Sequence, residues 1–187
     1  MLTMRRLGQA LGVEAMTLYH HVGSKEEMLD ALIDMVTDEF AYAPAGTPWK
    51  DAIRTIALSA YSSLSRHRWA ANLSLSLRRP SPGRLRYMNS ILGILRDAEF
   101  SDDLVDRGYH AIEGHIMGFT LWEVGMNLPR HEDLGRMAAS FLRDLDHGAY
   151  PHVADHVGHH LRQAAPEEVG AFEFGLELVL DGLERLR

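Results

Sequence analysis

MLTMRRLGQALGVEAMTLYHHVGSK, Met1 to Lys25, is the stretch whose reading decides the fold. Thr3 stands at the N-cap of a first helix over Met4 to Leu11, whose apolar face is Leu7, Ala10 and Leu11. Gly12 supplies the left-handed backbone position that ends a helix, and Val13 plugs the corner. A second helix, Glu14 to His20, turns Leu18 inward and offers Ala15, Met16, Thr17, Tyr19, His20 and His21 on its outer side. The spacing of Gly8, Gly12 and Leu18 puts a small residue where two helices cross and a glycine in the turn. It then puts an apolar plug beneath the second helix. A short helix with that exposed face suits the major groove of DNA. An ordinary helical hairpin inside an all-α domain satisfies the same spacing.

Outward from this corner, helix signals account for nearly everything. Ser24 with Glu27 forms a capping box that opens a helix running to Phe40, with Met28, Leu29, Leu32, Ile33 and Val36 on its apolar side. Ala43-Pro44-Ala45-Gly46 reads as a linker. Thr47-Pro48 starts the next helix, which carries Ile53, Ile56, Ala57, Ala60, Tyr61 and Leu64. Further helices are expected over Trp69 to Leu77, Arg84 to Asp97, Asp102 to Asn127, Leu134 to Leu145, from a short turn at Tyr150-Pro151 to Arg162, and from Pro166 to Leu186. No useful β-alternation appears, so the expected fold is all-α. The expected domains are a helix-turn-helix unit over residues 1–43 and a larger helical unit over 47–187.

The chain of 187 residues is long enough to bury a sizeable core. No apolar run spans a bilayer and no secretory signal is seen, so no membrane partner is expected. Absence of cysteine excludes disulfides and thiol catalysis and fits a cytoplasmic location. A net charge of −7 argues against coating nucleic acid over the whole surface, while leaving room for a small recognition patch. No nucleophile with an identifiable base, no phosphate-cradling loop and no paired carboxylates in a recognisable motif appear. No enzyme activity and no cofactor are expected.

The run LTMRRLGQALGVEAMTLYHHVGSKEEMLDALIDMV resembles the DNA-binding region of the TetR family. The similarity falls at Leu2, Thr3, Arg5, Leu7, Leu11 to Glu14, Thr17 to Tyr19, His21, Val22, Lys25 and Leu29 to Leu32. YPHVADHV at Tyr150 to Val157 and FEFGLELVLDGLE at Phe172 to Glu184 resemble that family's ligand-binding domain. In the family another helix precedes the residue matching Leu2, so the expectation is a DNA-binding domain without its first helix. The resemblance implies a ligand-responsive regulator, most simply a repressor released from operator DNA by a small-molecule effector. An alternative is a helical ligand-binding dimer that has lost DNA binding with that helix. Base-edge contacts are expected from Met16, Thr17 and His21 with Arg5, and phosphate contacts from Thr3, Tyr19 and Lys25.

Two helices have unusual side-chain economy. On the last, Phe172, Leu176, Val179 and Leu183 form an apolar stripe broadened by Ala171, Phe174, Gly175, Leu178 and Gly182. On the long helix, His115, Gly118 and Trp122 belong to a stripe rich in small residues. The resemblance implies that these residues pair with their copies in a homodimer, whose twofold separates two recognition helices by about 34 Å, one turn of DNA. Burial of both helices within one monomer is the alternative. For the effector, Tyr109, His110, Glu113, Met117 and Leu121 on the long helix, with Tyr61, Trp69 and Tyr87, are candidate pocket residues. The resemblance raises a drug–magnesium complex as ligand, but the middle of the chain does not match those contacts closely enough to carry it over. His152, His156, His159 and His160 lie at helical spacings, yet a zinc site needs a third ligand from elsewhere and supporting partners. The reading assigns no metal.

Overall fold

The computed structural model describes residues 3–76, 81–126, 131–162 and 170–187, and among these it contains ten helices and no strand. They are α1 (Met4–Leu11), α2 (Ala15–His21), α3 (Lys25–Thr37), α4 (Trp49–Arg66), α5 (Arg68–Ser76), α6 (Pro82–Asp97), α7 (Asp102–Met126), α8 (His131–Asp144), α9 (Pro151–Arg162) and α10 (Ala171–Leu186). The all-α expectation holds.

Helix ends follow the capping chemistry. Thr3 Oγ1 accepts from Arg6 N–H at 3.2 Å, and Ser24 Oγ accepts from Glu27 N–H at 3.0 Å. Glu27 Oε2 in turn accepts from the Gly23 N–H at 3.0 Å, one residue before the Ser24 N–H that the expected capping box engages. Ser81 caps α6 with Pro82 at its first position. Several ends differ from the pattern-based expectation, among them the starts of α6 at Pro82 rather than Arg84 and of α8 at His131 rather than Leu134. Glu14 is an extended N-cap residue, so α2 begins at Ala15. α3 stops at Thr37, where Thr37 Oγ1 bonds back to the Ile33 carbonyl and the chain turns through Asp38 and Glu39. The expected start of the last helix at Pro166 lies outside the described residues. Its described part begins at Ala171, with the Gly170 N–H held by Glu173 Oε2 at 2.7 Å.

α7 is the axle of the body. α4, α5, α6 and α10 all pack against it, and α3 lies along α4, α5 and α6. Val105, Ile112 and Ile116 of α7 meet Ile53 and Ile56 of α4, Ile91 and Leu95 of α6, and Leu176 and Leu180 of α10 in one buried cluster. Each fully buried side chain of this size contributes about 1.5–3 kcal/mol, so this core dominates the stability of the fold. Ion pairs fasten α10 to α4 along one edge: Lys50 bonds Asp181 and Glu184, and Arg54 spans Glu177 and Asp51. By contrast, α1 and α2 pack chiefly on each other, as do α8 and α9.

Candidate functional site

Two places carry chemistry that the core does not need. One is the α1–α2 corner. Gly12 has φ +69° and sits at the left-handed C-cap of α1, while the Val13 N–H bonds the Gly8 carbonyl at 2.9 Å. The two helices cross over Gly8, where a Cβ would lie 2.7 Å from the Val13 carbonyl oxygen and 3.1 Å from the Ala15 nitrogen. Glycine is therefore required by contact with backbone, which cannot swing aside. α2 buries no side chain fully; Leu18 turns halfway inward, while Met16, Thr17, Tyr19, His20 and His21 lie exposed. Thr3, the N-cap of α1, and Arg5 on α1 are exposed, and half-buried Lys25 opens α3 soon after α2 ends at His21. A helix N-terminus with a lysine at its first position is suited to a phosphate.

The second place is a small cavity of about 30 Å³ among α3, α4, α5, α6 and α7. Ile33, Val36, Leu64, Ile116 and Met117 give it apolar walls, and Thr37, Ser74, Arg84, Tyr87 and Glu113 supply polar groups. The polar groups gather at the α6–α7 end. Tyr87 Oη donates to Glu113 Oε2 at 2.8 Å, Arg84 Nη1 donates to the Ser74 carbonyl at 2.7 Å, and Arg84 Nη2 lies 3.8 Å from Glu113 Oε1. Burial holds the Glu113 carboxyl above the usual carboxylate range, against the pull of Tyr87 and Arg84. Burial likewise pushes the Tyr87 hydroxyl well above its ordinary value.

Of the residues proposed from sequence for a pocket, Tyr87, Glu113 and Met117 line this cavity. Tyr109 is buried nearby in the core, and its hydroxyl is raised by burial and by the Glu113 charge. The others lie elsewhere. Tyr61 stacks on Phe172 with ring centres 4.0 Å apart and donates to Glu123, an arrangement in which burial pushes its hydroxyl up to about 12. Trp69 is 46% exposed beside His67, Leu121 is half-buried, and exposed His110 bonds the Asp106 carbonyl one turn back. Arg84, Thr37 and Ser74 were not legible as pocket residues. An arginine, a threonine and a serine on three amphipathic helices carry no local sign that they converge.

The α7–α10 pair separates the proposed interface residues into two sets. Phe172, Leu176 and Leu183 are buried in the chain's own core, and His115 bonds the Phe172 carbonyl at 2.8 Å while filling the space over Gly175. Val179 and Gly182 are half-buried, whereas Gly118 and Trp122 are exposed. The outward apolar side of α10 is made by Phe174 and Leu178, 61% and 56% exposed, and that of α7 by Trp122, 55% exposed. On α9, His152, His156 and His159 lie at the surface, and the side chain of His160 lies outside the described residues. Among the described residues no three His, Asp or Glu side chains converge in an arrangement able to hold a metal ion. No described helix is long and apolar enough to cross a membrane.

Comparison with known proteins agrees with this geometry. The family model for "Tetracyclin repressor-like, C-terminal domain" matches residues 43–187, and that for "Bacterial regulatory proteins, tetR family" matches residues 1–32. The chain is 26% identical over 200 aligned residues to the HTH-type transcriptional repressor DrrR1 of Streptomyces coeruleorubidus, covering 99% of this chain and 70% of that protein. It is 39% identical over 126 residues to tetracycline repressor protein class D of Escherichia coli, covering 66% of this chain and 56% of that one. Its fold matches the crystal structure of a possible TetR family transcriptional regulator from Streptomyces coelicolor A3(2), with a TM-score of 0.79, 30% identity, and coverage of 100% and 90% of the two chains. Matched by family models at both ends and by a shared fold along its whole length, this protein belongs to the TetR family of transcriptional regulators.

Proposed function

We propose that this protein is a homodimeric repressor whose hold on operator DNA is set by an effector in the α3–α7 cavity. One observation carries the reading: the walls of the cavity are also the anchorage of α3, the helix that continues directly from the DNA-reading corner. Ile33, Val36 and Thr37 of α3 face the cavity. On its other neighbour, Asp34 Oδ1 accepts from the Gly83 N–H at 2.8 Å, and Asp38 pairs with Arg86 at 2.6 Å. Gly83 and Arg86 flank Arg84 and Tyr87, the α6 residues aimed at Glu113. A cavity of about 30 Å³ holds at most a few waters. A typical ligand site needs roughly 300–1,000 Å³, so occupancy forces the walls apart. Moving α6 against α7 moves the groups that hold α3, and with it the corner.

In this reading α2 lies in the major groove, with Met16, Thr17, His21 and Arg5 at base edges and Thr3, Tyr19 and Lys25 on phosphates. The outward faces of α7 and α10, with Gly118, Trp122, Phe174, Leu178 and Gly182, meet their copies across the twofold. The relatives are regulators, and the reading extends that role to this chain without a catalytic activity, in the cytoplasm where its operator lies.

Lys25→Ala is expected to weaken binding to operator and to random DNA alike, and to reduce the slope of log affinity against log salt by about 1. Tyr19→Phe is expected to act in the same sequence-independent way. Fluorescence anisotropy at several salt concentrations measures this; unchanged affinity in both variants contradicts the phosphate assignments. Asp34→Ala leaves the part-buried Gly83 N–H without its acceptor, at a cost of about 1–3 kcal/mol. The expected result is a melting temperature several degrees lower and a smaller effect of effector on operator affinity, because the coupling between the sites weakens. An effector response equal to that of the unaltered protein removes Asp34 from the path.

A further inference from the structure

Resting on the reading of the cavity as an effector site, its polar end constrains what the effector is. We infer that the ligand is an uncharged, mainly apolar molecule carrying a hydroxyl group that sits between Glu113 Oε1 and Arg84 Nη2. The 3.8 Å between those atoms is too long for a hydrogen bond, yet one oxygen atom fits within ordinary bonding distance of both. Such an oxygen must donate to the carboxylate and accept from the guanidinium. A hydroxyl does both with one atom.

The hydrogen bonds that Glu113 and Arg84 already make stay within the chain. Glu113 Oε2 holds the Tyr87 hydroxyl, and Arg84 Nη1 holds the Ser74 carbonyl at the last turn of α5. The charges of Arg84 and Glu113 offset each other in a mostly buried setting. An ionised ligand therefore brings a charge with no counter-charge of its own, which is costly where water is excluded. The rest of the lining, from Ile33 and Val36 to Leu64, Ile116 and Met117, rewards an apolar body.

A matched series tests this on the intact protein: 2-naphthol, naphthalene, 2-naphthoate and 2-(aminomethyl)naphthalene, with dissociation constants measured by calorimetry. The expected order places 2-naphthol at least tenfold tighter than each of the other three. Arg84→Met leaves the carboxylate unpaired, so preference moves to the ammonium compound; Glu113→Gln leaves the guanidinium unpaired, so preference moves to 2-naphthoate. Naphthalene binding as tightly as 2-naphthol, no binding by any of the four, or an order unaltered in both variants overturns the inference. Operator anisotropy in the same samples separates the two levels. If naphthalene and 2-naphthol bind equally and both release DNA, the cavity reading stands and the ligand class falls. If 2-naphthol is preferred but leaves operator affinity unchanged, the ligand class stands and the effector reading falls.

Discussion

Leu178→Glu is expected to convert the dimer to monomers and to weaken operator binding by at least about a hundredfold, or roughly 2.8 kcal/mol. Leu178 points away from the core, 56% exposed beside the equally outward Phe174, and the adjoining face of α7 presents Trp122. Nothing lies within 4 Å of where Cβ atoms on Gly118 and Gly182 would stand, so both faces let a second helix approach closely. A twofold axis brings each substituted side chain, or its near neighbour, to its copy, so the glutamate meets either apolar surface or another glutamate. Burying such a charge without a partner costs several kcal/mol. Operator binding suffers because two half-sites must be engaged at once. The fold of each monomer is expected to survive, since Leu176 and Leu180 on the inner side remain in place. Sedimentation equilibrium and operator anisotropy measure the two effects. A variant that stays dimeric with unaltered operator affinity places the interface elsewhere.

Gly8→Val is the second large effect. Its first added carbon would meet the Val13 carbonyl at 2.7 Å, and the branches of valine extend further into the same backbone. Relief requires the corner to open, which tilts α2 away from its seat on α1. Loss of operator binding by about a hundredfold is expected, with the main melting transition nearly unchanged because α1 and α2 pack chiefly on each other. Gly93→Ala on α6 is the control. No atom lies within 4 Å of that position, and alanine is favoured over glycine in a helix by about 1 kcal/mol, so this change is expected to be neutral or slightly stabilising. Operator affinity retained by Gly8→Val contradicts the close crossing.

The two predictions show where sequence was informative. Gly8 and Gly12 encode a crossing and a turn through local spacing alone and take those places, and Leu18 turns partly inward, whereas Leu11 and Val13, expected on the inner face and in the corner, are 61% and 41% exposed. Ser24 with Glu27 is legible for the same reason, because both partners lie within one turn. On α7, Val105, Tyr109, Ile112 and Ile116 recur at steps of four, three and four and are all buried, so a helical period in the sequence marks its inner face. α10 is apolar on two sides, so periodicity alone did not say that Phe172, Leu176 and Leu183 turn inward while Phe174 and Leu178 turn outward. Trp69 occupies a nine-residue helix, too short for its pattern to distinguish a cavity wall from an exposed edge. Arg84 meets Glu113, and Asp34 meets Gly83, only through the packing of helices far apart in sequence. The α1–α2 corner is set by residues close in sequence, whereas the cavity and its contacts with α3 are tertiary.

If the cavity is the effector site, its occupancy is expected to set the separation of the two α2 helices in the dimer. The chain has no cysteine, so Met16→Cys, at an exposed position of α2, gives one spin label per protomer. Double electron–electron resonance then reads the distance between labels across the dimer. The expected result is a population near the separation of about 34 Å that matches one turn of DNA, displaced by several ångströms when 2-naphthol saturates the cavity. An absence of dipolar coupling, or a distance distribution unchanged by bound ligand, contradicts it.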